Sequence, residues 1–177
     1  MDRQPVLYLV VSGAAPARDL PGVVTALAGD WDTCVVTTPE GARFFDVSQV
    51  AELTGHPVRT SFKDPDAPDV LPPADAFAAA PATFNTVNKW ATGISDTLAL
   101  GLLNEAIGLG LPIVTVPWPN VPLARHPAFG RSIATLRGCG ITVIFDPDRL
   151  PGSPSGQDRF PWDELYTELA LMRAALG

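Results

Sequence analysis

Short, continuously apolar runs alternate with segments of helical periodicity along most of the chain. Val6–Val11, Ala74–Ala80 and Leu111–Val116 are apolar at nearly every position. Such runs are typical of parallel strands that are buried on both faces. Residues 17–28 and 95–109 instead place their apolar side chains on one face of a helix. This alternation predicts a doubly wound parallel α/β sheet with helices on both faces.

Weaker segments complete the pattern. Further strands are expected at 32–38, 58–62 and 140–145, and further helices at 39–53, 85–91, 127–137 and 162–176. Residues 63–73 and 117–122 are rich in proline and are predicted to be irregular. The sequence contains no internal repeat and no composition shift. Residues 1–177 are therefore predicted to form one domain, a Rossmann-like, flavodoxin-like three-layer αβα sandwich.

Charge and cysteine usage restrict the classes of partner. The formal net charge is −7, which argues against binding to nucleic acid or to an anionic membrane. Cys34 and Cys139 are too few for a disulfide framework, and the apolar runs are too short to span a bilayer. His56 and His126 lie beside prolines, and no metal-ligand cluster is visible. We therefore expect a cytoplasmic protein that binds a small molecule and no metal.

Two polar turns follow the first two predicted strands. Ser12 and Gly13 end the first strand, where a glycine allows a phosphate to approach the backbone or simply makes a strand-to-helix turn. The dinucleotide fingerprint G-x-G-x-x-G is absent, which argues against an NAD site. Thr37 and Thr38 end the second strand, and either hydroxyl can bind a phosphate or ribityl oxygen or cap the helix at Pro39.

A longer polar string, Pro81–Thr86, follows the Ala-rich strand. Its short side chains, Thr83, Asn85 and Thr86, are suited to binding a phosphate or a flat ring at the carboxyl edge of a sheet. Helix capping explains Asn85 or Thr86 individually but not the whole string. Asp96 lies near the start of the next helix, where the helix dipole stabilises a carboxylate whether or not it binds a ligand.

These motifs, in this order, resemble the homo-oligomeric flavin-containing cysteine decarboxylases. That family includes phosphopantothenoylcysteine decarboxylases, peptidyl-cysteine decarboxylases of lantibiotic synthesis and flavin prenyltransferases. The matching blocks are Ser12–Gly13, Ala74–Thr86, Gly93–Asp96, and Pro117–Asn120 with His126-Pro127. The resemblance extends to about Asp146. It implies a doubly wound fold, FMN bound non-covalently at a subunit interface, and assembly into trimers or dodecamers.

The resemblance also implies roles for individual residues. It places the FMN phosphate on Ser12, Gly13, Thr37 or Thr38, and Thr86, and the ring near Pro81–Asn85. Asn120 would face the substrate and bind its carboxylate. The full set expected to bind the cofactor is Ser12, Gly13, Thr37, Thr38, Pro81, Ala82, Thr83, Phe84, Asn85, Thr86 and Asp96.

The chain departs from the family where the chemistry occurs. Ala67 stands where the family has its active-site histidine, and Phe84 replaces a small alanine near the ring. Pro119 and Ala124 replace a methionine and a tryptophan, and residues 150–156 lack the family's C-terminal cysteine. Oxidative decarboxylation of a cysteine needs a base, a group that binds the carboxylate and a flavin that accepts electrons. The flavin is therefore expected to be retained and the reaction to be altered or lost.

Three functions are consistent with the sequence. The first is a decarboxylase-like lyase or oxidoreductase that acts on a small thiol or carboxylate substrate. The second is a regulatory or non-catalytic flavin-binding subunit, which the missing histidine favours over the first. The third is a flavin prenyltransferase-like enzyme, whose phosphate pocket would have to use Lys89, Arg125 or Arg131. Phe84 either stacks on the flavin or narrows its pocket.

Overall fold

The computed structural model describes residues 3–156 and 158–177. One parallel sheet contains β1 (Val6–Val11), β2 (Asp32–Thr37), β3 (Ala76–Ala82), β4 (Ile113–Pro117) and β5 (Thr142–Val143). The α-helices are α1 (Leu20–Leu27), α2 (Val47–Thr54), α3 (Phe84–Ala91), α4 (Leu98–Leu109), α5 (Val121–Ala124), α6 (Pro127–Gly138) and α7 (Trp162–Leu176). Over these same residues, no helix is both long and apolar enough to cross a lipid bilayer.

The strand order is β2-β1-β3-β4-β5, and every pairing is parallel. This is the flavodoxin-like order, which confirms the predicted doubly wound sheet. The order of strand addition reverses between β1 and β3. At such a switch point the loops after the two strands turn to opposite faces, and a crevice opens at the carboxyl edge of the sheet.

The core has two layers, one on each face of the sheet. All six residues of β1 are buried, as the continuous apolar run predicts for a strand packed on both faces. Leu7 and Leu9 face a layer that includes residues of α1, α2 and α7, whereas Tyr8 and Val10 face residues of α3, α4 and α6. The central strand β3 is mostly alanine, which lets the helices on both faces pack close to the sheet.

The structure corrects the strand predicted at 58–62. Only Arg59 pairs with the sheet, through an isolated parallel bridge to Val36 at the free edge of β2. The chain from there to Asp75 is irregular, because its many prolines lack the amide hydrogens that a ladder requires. The last strand is also shorter than the predicted 140–145 and consists of Thr142 and Val143 alone.

Proline placement explains two further differences. The segment 117–122, predicted to be irregular, contains the start of α5, because Pro122 lies in the first turn of that helix, where no amide hydrogen is needed. The helix predicted from Pro39 begins instead at Val47, after a 3₁₀ turn at Gly41–Arg43. Asp46 caps α2 by accepting hydrogen bonds from the amides of Ser48 and Gln49.

The buried side chains of one tyrosine and one cysteine lead us to expect that the free energy of unfolding falls at alkaline pH. Tyr8 and Cys34 are cross-strand partners, and burial raises the pKa of each side chain to about 12. Both pKa values are higher in the folded state than their ordinary values of 10 and 9. Their contribution to the free energy of unfolding is therefore complete below about pH 9 and declines toward pH 12, by up to about 1.4 kcal/mol per pH unit for each group.

Denaturant unfolding at a series of alkaline pH values checks this expectation. Cys34→Val keeps a buried apolar side chain in β2 and should delay the decline until tyrosine begins to ionise. Cys139→Ser, at an exposed position, is the control and should follow the wild type. A stability profile that is flat from neutral to strongly alkaline pH would contradict the prediction.

Candidate functional site

A cavity of about 380 Å³ lies at the carboxyl edge of the sheet, beside the switch point. We call it the hydroxyl-lined cavity. Its volume is typical of small-molecule sites. The loops after β1, β2 and β3, residues of α3 and the start of α4 supply its lining: Gly13, Thr38, Pro39, Glu40, Thr83, Asn85, Thr86, Lys89, Thr97 and Leu100. Five of the residues predicted to bind the cofactor are thus brought together here.

Three hydroxyl groups form a chain of hydrogen bonds beside the cavity. The Thr86 Oγ1 atom lies 2.9 Å from Ser12 Oγ and 3.1 Å from Thr83 Oγ1. Ser12 and Thr86 are buried, and the Ser12 amide donates to the Pro81 carbonyl. Thr83 also caps α3 by accepting from the Thr86 amide. Since a hydroxyl has one hydrogen and two lone pairs, the chain keeps hydrogen-bonding capacity for a ligand.

The turn after β1 brings its backbone close to the loop after β2. A Cβ atom added to Gly13 would lie 2.9 Å from the Cβ of Glu40 and 3.2 Å from its carbonyl carbon. Any larger residue at position 13 would push these loops apart. Glycine therefore closes the floor of the cavity between the ends of β1 and β2.

The two threonines at the end of β2 have different environments. The buried Thr37 hydroxyl donates to the carbonyls of Val11 and Thr38, at 3.0 and 3.1 Å. It joins the ends of β1 and β2 and does not line the cavity. Thr38 does line it, and its hydroxyl accepts from the Gly41 amide at 3.0 Å. Of the two predicted candidates, only Thr38 lines the cavity.

Charges of both signs lie in or near the cavity. Lys89 lines it and forms an ion pair with Asp96 at 2.5 Å. Glu40 also lines it and forms an exposed ion pair with Arg43 at 2.9 Å. Asp96 does not cap α4. That role belongs to Thr97, whose hydroxyl accepts from the Leu100 amide. Asp96 therefore acts on the cavity through the charge of Lys89.

The remaining predicted residues lie outside the cavity lining. Pro81 and Ala82 are buried in β3. The Phe84 ring packs against His126 and Phe129, with ring centroids 5.7 and 6.1 Å apart, and so lies on the α6 side of α3. Asn120 is exposed at the end of β4 and caps α5, accepting from the Leu123 amide at 3.0 Å.

Both histidines form local structural contacts. His56 Nε2 lies 2.6 Å from an Asp32 carboxylate oxygen, at the amino end of β2 and therefore at the opposite edge of the sheet. His126 Nδ1 accepts from the Ala128 amide and caps α6. Within residues 3–156 and 158–177, no group of three or more His, Cys, Asp or Glu side chains is placed to hold a metal ion.

Some lining residues lay outside the predicted cofactor set. Thr97 immediately precedes an apolar helical segment, which is the usual signature of a helix cap, so the sequence contained a signal for its position. Glu40 gave no such signal. It reaches the cavity because the chain makes a 3₁₀ turn after β2 where a continuous helix was predicted.

Comparison with known proteins identifies relatives of this chain. A family model described as Flavoprotein matches residues 1–159. A cysteine/cysteine sulfinic acid decarboxylase from an unknown prokaryotic organism is 32% identical over 101 residues, which is 54% of this chain and 27% of that protein. The coenzyme A biosynthesis bifunctional protein CoaBC of Bacillus subtilis is 32% identical over 117 residues, 62% of this chain. The chain spans about a quarter of the length of these two relatives.

Solved structures share the fold over nearly the whole chain. HAL3 from Cryptococcus neoformans superimposes with a TM-score of 0.77 at 23% identity, covering 98% of each chain. TvaF, described as an FMN-dependent cysteine decarboxylase from thioviridamide biosynthesis, superimposes with a TM-score of 0.76 at 21% identity. That match covers 97% of this chain and 99% of TvaF. At these identities the likeness concerns the fold.

Proposed function

Because this chain belongs to the Flavoprotein family, we propose that it binds FMN in the hydroxyl-lined cavity. We further propose that it acts on a small thiol or carboxylate substrate, with chemistry altered from that of the cysteine decarboxylases it resembles. The observation that carries the proposal is the hydroxyl chain of Ser12, Thr86 and Thr83 at the switch point of the sheet. Parallel α/β proteins bind their ligands at this place.

The residues of the cavity have the chemistry that a flavin mononucleotide requires. Hydroxyls and backbone groups at Ser12, Gly13, Thr38 and Thr86 suit a phosphate and a ribityl chain. From the segment Pro81–Asn85, Thr83 and Asn85 line the cavity and are proposed to contact the ring. The flavin, when bound, supplies the capacity to accept two electrons from a substrate. The protein's part is to hold and orient both molecules and to supply any proton transfer.

Asn120 is proposed to bind the carboxylate of the substrate. Its Oδ1 atom accepts from the Leu123 amide, which fixes the side-chain amide with its oxygen toward α5. The Nδ2 hydrogens can then donate to a carboxylate. This role uses the same residue both to cap α5 and to contact the substrate, so loss of the side chain should affect both.

A non-catalytic flavin-binding subunit is the second candidate. It is favoured by the positions of His56 and His126, which cap or pair elsewhere, and by Ala67 where the family has its histidine. A partner chain would then have to supply the base. Nothing comparable favours a prenyltransferase-like activity, because Asp96 neutralises Lys89 and neither Arg125 nor Arg131 lines the cavity.

The visible absorption spectrum of the purified protein, with mass analysis of the released cofactor, tests the proposal. FMN at about one per subunit supports it. A colourless protein that fails to take up added FMN contradicts it. Anaerobic mixing with cysteine derivatives then separates the two candidates: bleaching of the flavin supports an enzyme, and an unchanged spectrum across the panel supports the non-catalytic subunit.

Assembly and location are also proposals. The resemblance suggests a homo-oligomer, a trimer or a dodecamer built from trimers, working in the cytoplasm. Light scattering of the FMN-loaded protein measures the number of subunits. A monomeric particle with bound FMN would contradict the assembly while leaving flavin binding intact.

Glu40 is expected to weaken binding of the phosphorylated cofactor. Its Cβ atom and backbone lie at the Gly13 turn, where the phosphate is proposed to rest, and the residue lines the cavity. Glu40→Gln should therefore tighten FMN binding roughly three- to tenfold at low salt, because it removes a repulsion between like charges. Riboflavin, which lacks the phosphate, should bind both proteins equally.

Fluorescence titration with the two flavins measures this difference. Glu52→Gln makes the same change of net charge on α2, outside the cavity lining, and should leave the ratio of the two affinities unchanged. An equal gain for FMN and riboflavin in Glu40→Gln would show that the phosphate lies elsewhere.

A further inference from the structure

We propose that a second cavity, on the other flank of α4, binds a small organic anion with an apolar body. This lateral cavity has a volume of about 570 Å³ and shares no lining residue with the hydroxyl-lined cavity. It is therefore a separate site, and its size is typical of sites for small molecules. The proposal does not depend on the flavin.

The cavity exists because an irregular segment covers the sheet beside α4. A helix would be usual at this place in such a fold. Tyr8 and Val36 form an apolar floor, and Leu98 and Leu102 of α4 form one wall. Residues 59–73, which include no helix or strand, form the opposite wall. Such a segment does not pack against the sheet as closely as a helix does, so space remains between it and α4.

The irregular wall is anchored at several points. The Arg59 amide donates to the Val35 carbonyl at 3.0 Å, and its carbonyl accepts from the Thr37 amide at 2.8 Å. Further along, the Tyr8 hydroxyl donates to the Pro72 carbonyl at 2.8 Å. Lys63 and Asp69 close the intervening loop with an ion pair at 2.8 Å. The cavity is therefore bounded by fixed groups at both ends of the segment.

The charges around the cavity favour an anion. The lining contains two cations and two carboxylates, and the carboxylates are the more exposed groups. Lys63 pairs with Asp69, but the Asp69 side chain is 83% exposed and that of Lys63 is 36% exposed. Arg59 and Glu105 are the other charged residues of the lining. Arg59 is half-buried and Glu105 is exposed, so the field of Arg59 is screened less by water. Its Nη2 atom donates to the Ser61 carbonyl, and the other guanidinium hydrogens suit a carboxylate or sulfonate.

The floor is compatible with that ligand. Burial raises the pKa of Tyr8 to about 12, so the phenol stays neutral at physiological pH and does not repel an anion. Phe62, 60% exposed at the rim, adds an aromatic surface. A molecule with an aromatic or aliphatic body and one acidic group therefore matches the cavity in shape and in charge.

A pair of fluorescent probes tests the proposal. Anilinonaphthalene sulfonate and the uncharged N-phenylnaphthylamine share an aromatic body and differ by the sulfonate. We would titrate both into the protein with and without an excess of FMN, so that the test does not depend on flavin binding. Arg59→Gln should weaken binding of the sulfonate about tenfold and leave the neutral probe unchanged. Arg43→Gln, outside the lateral cavity, is the matched control and should change neither affinity.

Gly101→Leu tests the location of the probes. A Cβ atom at Gly101 would lie 3.5 Å from the Phe62 ring, so a leucine there extends into the cavity. Leucine also favours the helical state more than glycine does, so α4 should remain folded. We expect both probes to lose binding. Retained binding, a sulfonate affinity indifferent to Arg59→Gln, or a changed number of subunits in Gly101→Leu would each overturn the proposal.

Discussion

Gly41→Ala is expected to lower the free energy of unfolding by about 3 kcal/mol, the largest stability effect that we predict for a single added methyl group. The new Cβ atom would lie 2.3 Å from the Thr37 hydroxyl oxygen and 2.6 Å from the Val11 carbonyl oxygen. The Val11 carbonyl belongs to the backbone at the end of the central β1 strand, so it cannot move aside as a flexible side chain can. The loops after β1 and β2, which line the hydroxyl-lined cavity, would have to separate.

The displaced groups are already hydrogen-bonded, which adds to the cost. The Val11 carbonyl accepts from the Thr38 amide at 3.0 Å and from the Thr37 hydroxyl at 3.0 Å. The Gly41 amide itself donates to the Thr38 hydroxyl. We therefore expect FMN binding to be lost together with stability, because Thr38 and the Gly13 turn would no longer hold their positions.

Gly108→Ala is the matched control for this experiment. Gly108 lies in α4, and a Cβ atom added there meets no heavy atom within 4 Å. Because Gly108 lies in the last turn of α4, alanine there should raise the free energy of unfolding by at most about 0.5–1 kcal/mol. Denaturant unfolding of the two variants measures both changes. Similar stability for Gly41→Ala and Gly108→Ala would mean that the loops after β1 and β2 are not packed as described.

Thr86→Val is expected to weaken FMN binding roughly 10- to 100-fold. Valine has nearly the shape of threonine, so packing is conserved and only the hydroxyl is lost. Thr86 is the central member of the hydroxyl chain, and its removal leaves the buried Ser12 hydroxyl without this partner. The free energy of unfolding should fall by about 1–3 kcal/mol for the same reason.

Titration of the variant with FMN and denaturant unfolding separate the two effects. Thr25→Val is the control, since the Thr25 hydroxyl is exposed and bonds to a carbonyl of its own helix. It should bind FMN as the wild type does. Wild-type affinity in Thr86→Val would show that the hydroxyl chain supports the fold and does not bind the cofactor.

The strands that were predicted correctly from the sequence are those that lie fully inside the hydrophobic core. β1 and β3 consist of buried residues throughout, and a strand packed on both faces must be apolar at every position. The helix at 162–176 was also predicted, because its apolar periodicity continues over four turns. These elements depend mainly on the local pattern of hydrophobicity, which can be read directly from the order of residues.

The elements that were predicted wrongly depend on contacts from elsewhere in the chain. Val58–Phe62 has the composition of a strand, yet only Arg59 finds a partner on the edge of β2. The Phe84 ring packs on His126 and Phe129, a contact that was not expected from the sequence. These side chains are distant in sequence, so no local pattern contained that contact.

The doubly wound class, the polar turns after β1, β2 and β3, and the likeness to a flavin-binding family could all be predicted from the order of amino acids. These follow from local hydrophobic periodicity and from short motifs. The contacts between distant residues became visible in the folded molecule. The fold shows that Thr38 lines the hydroxyl-lined cavity and Thr37 does not, and that Glu40 lines it too. Neither histidine lies in the cavity lining. Strand order and helix packing bring distant loops together, and neighbouring residues in sequence carry little information about that arrangement.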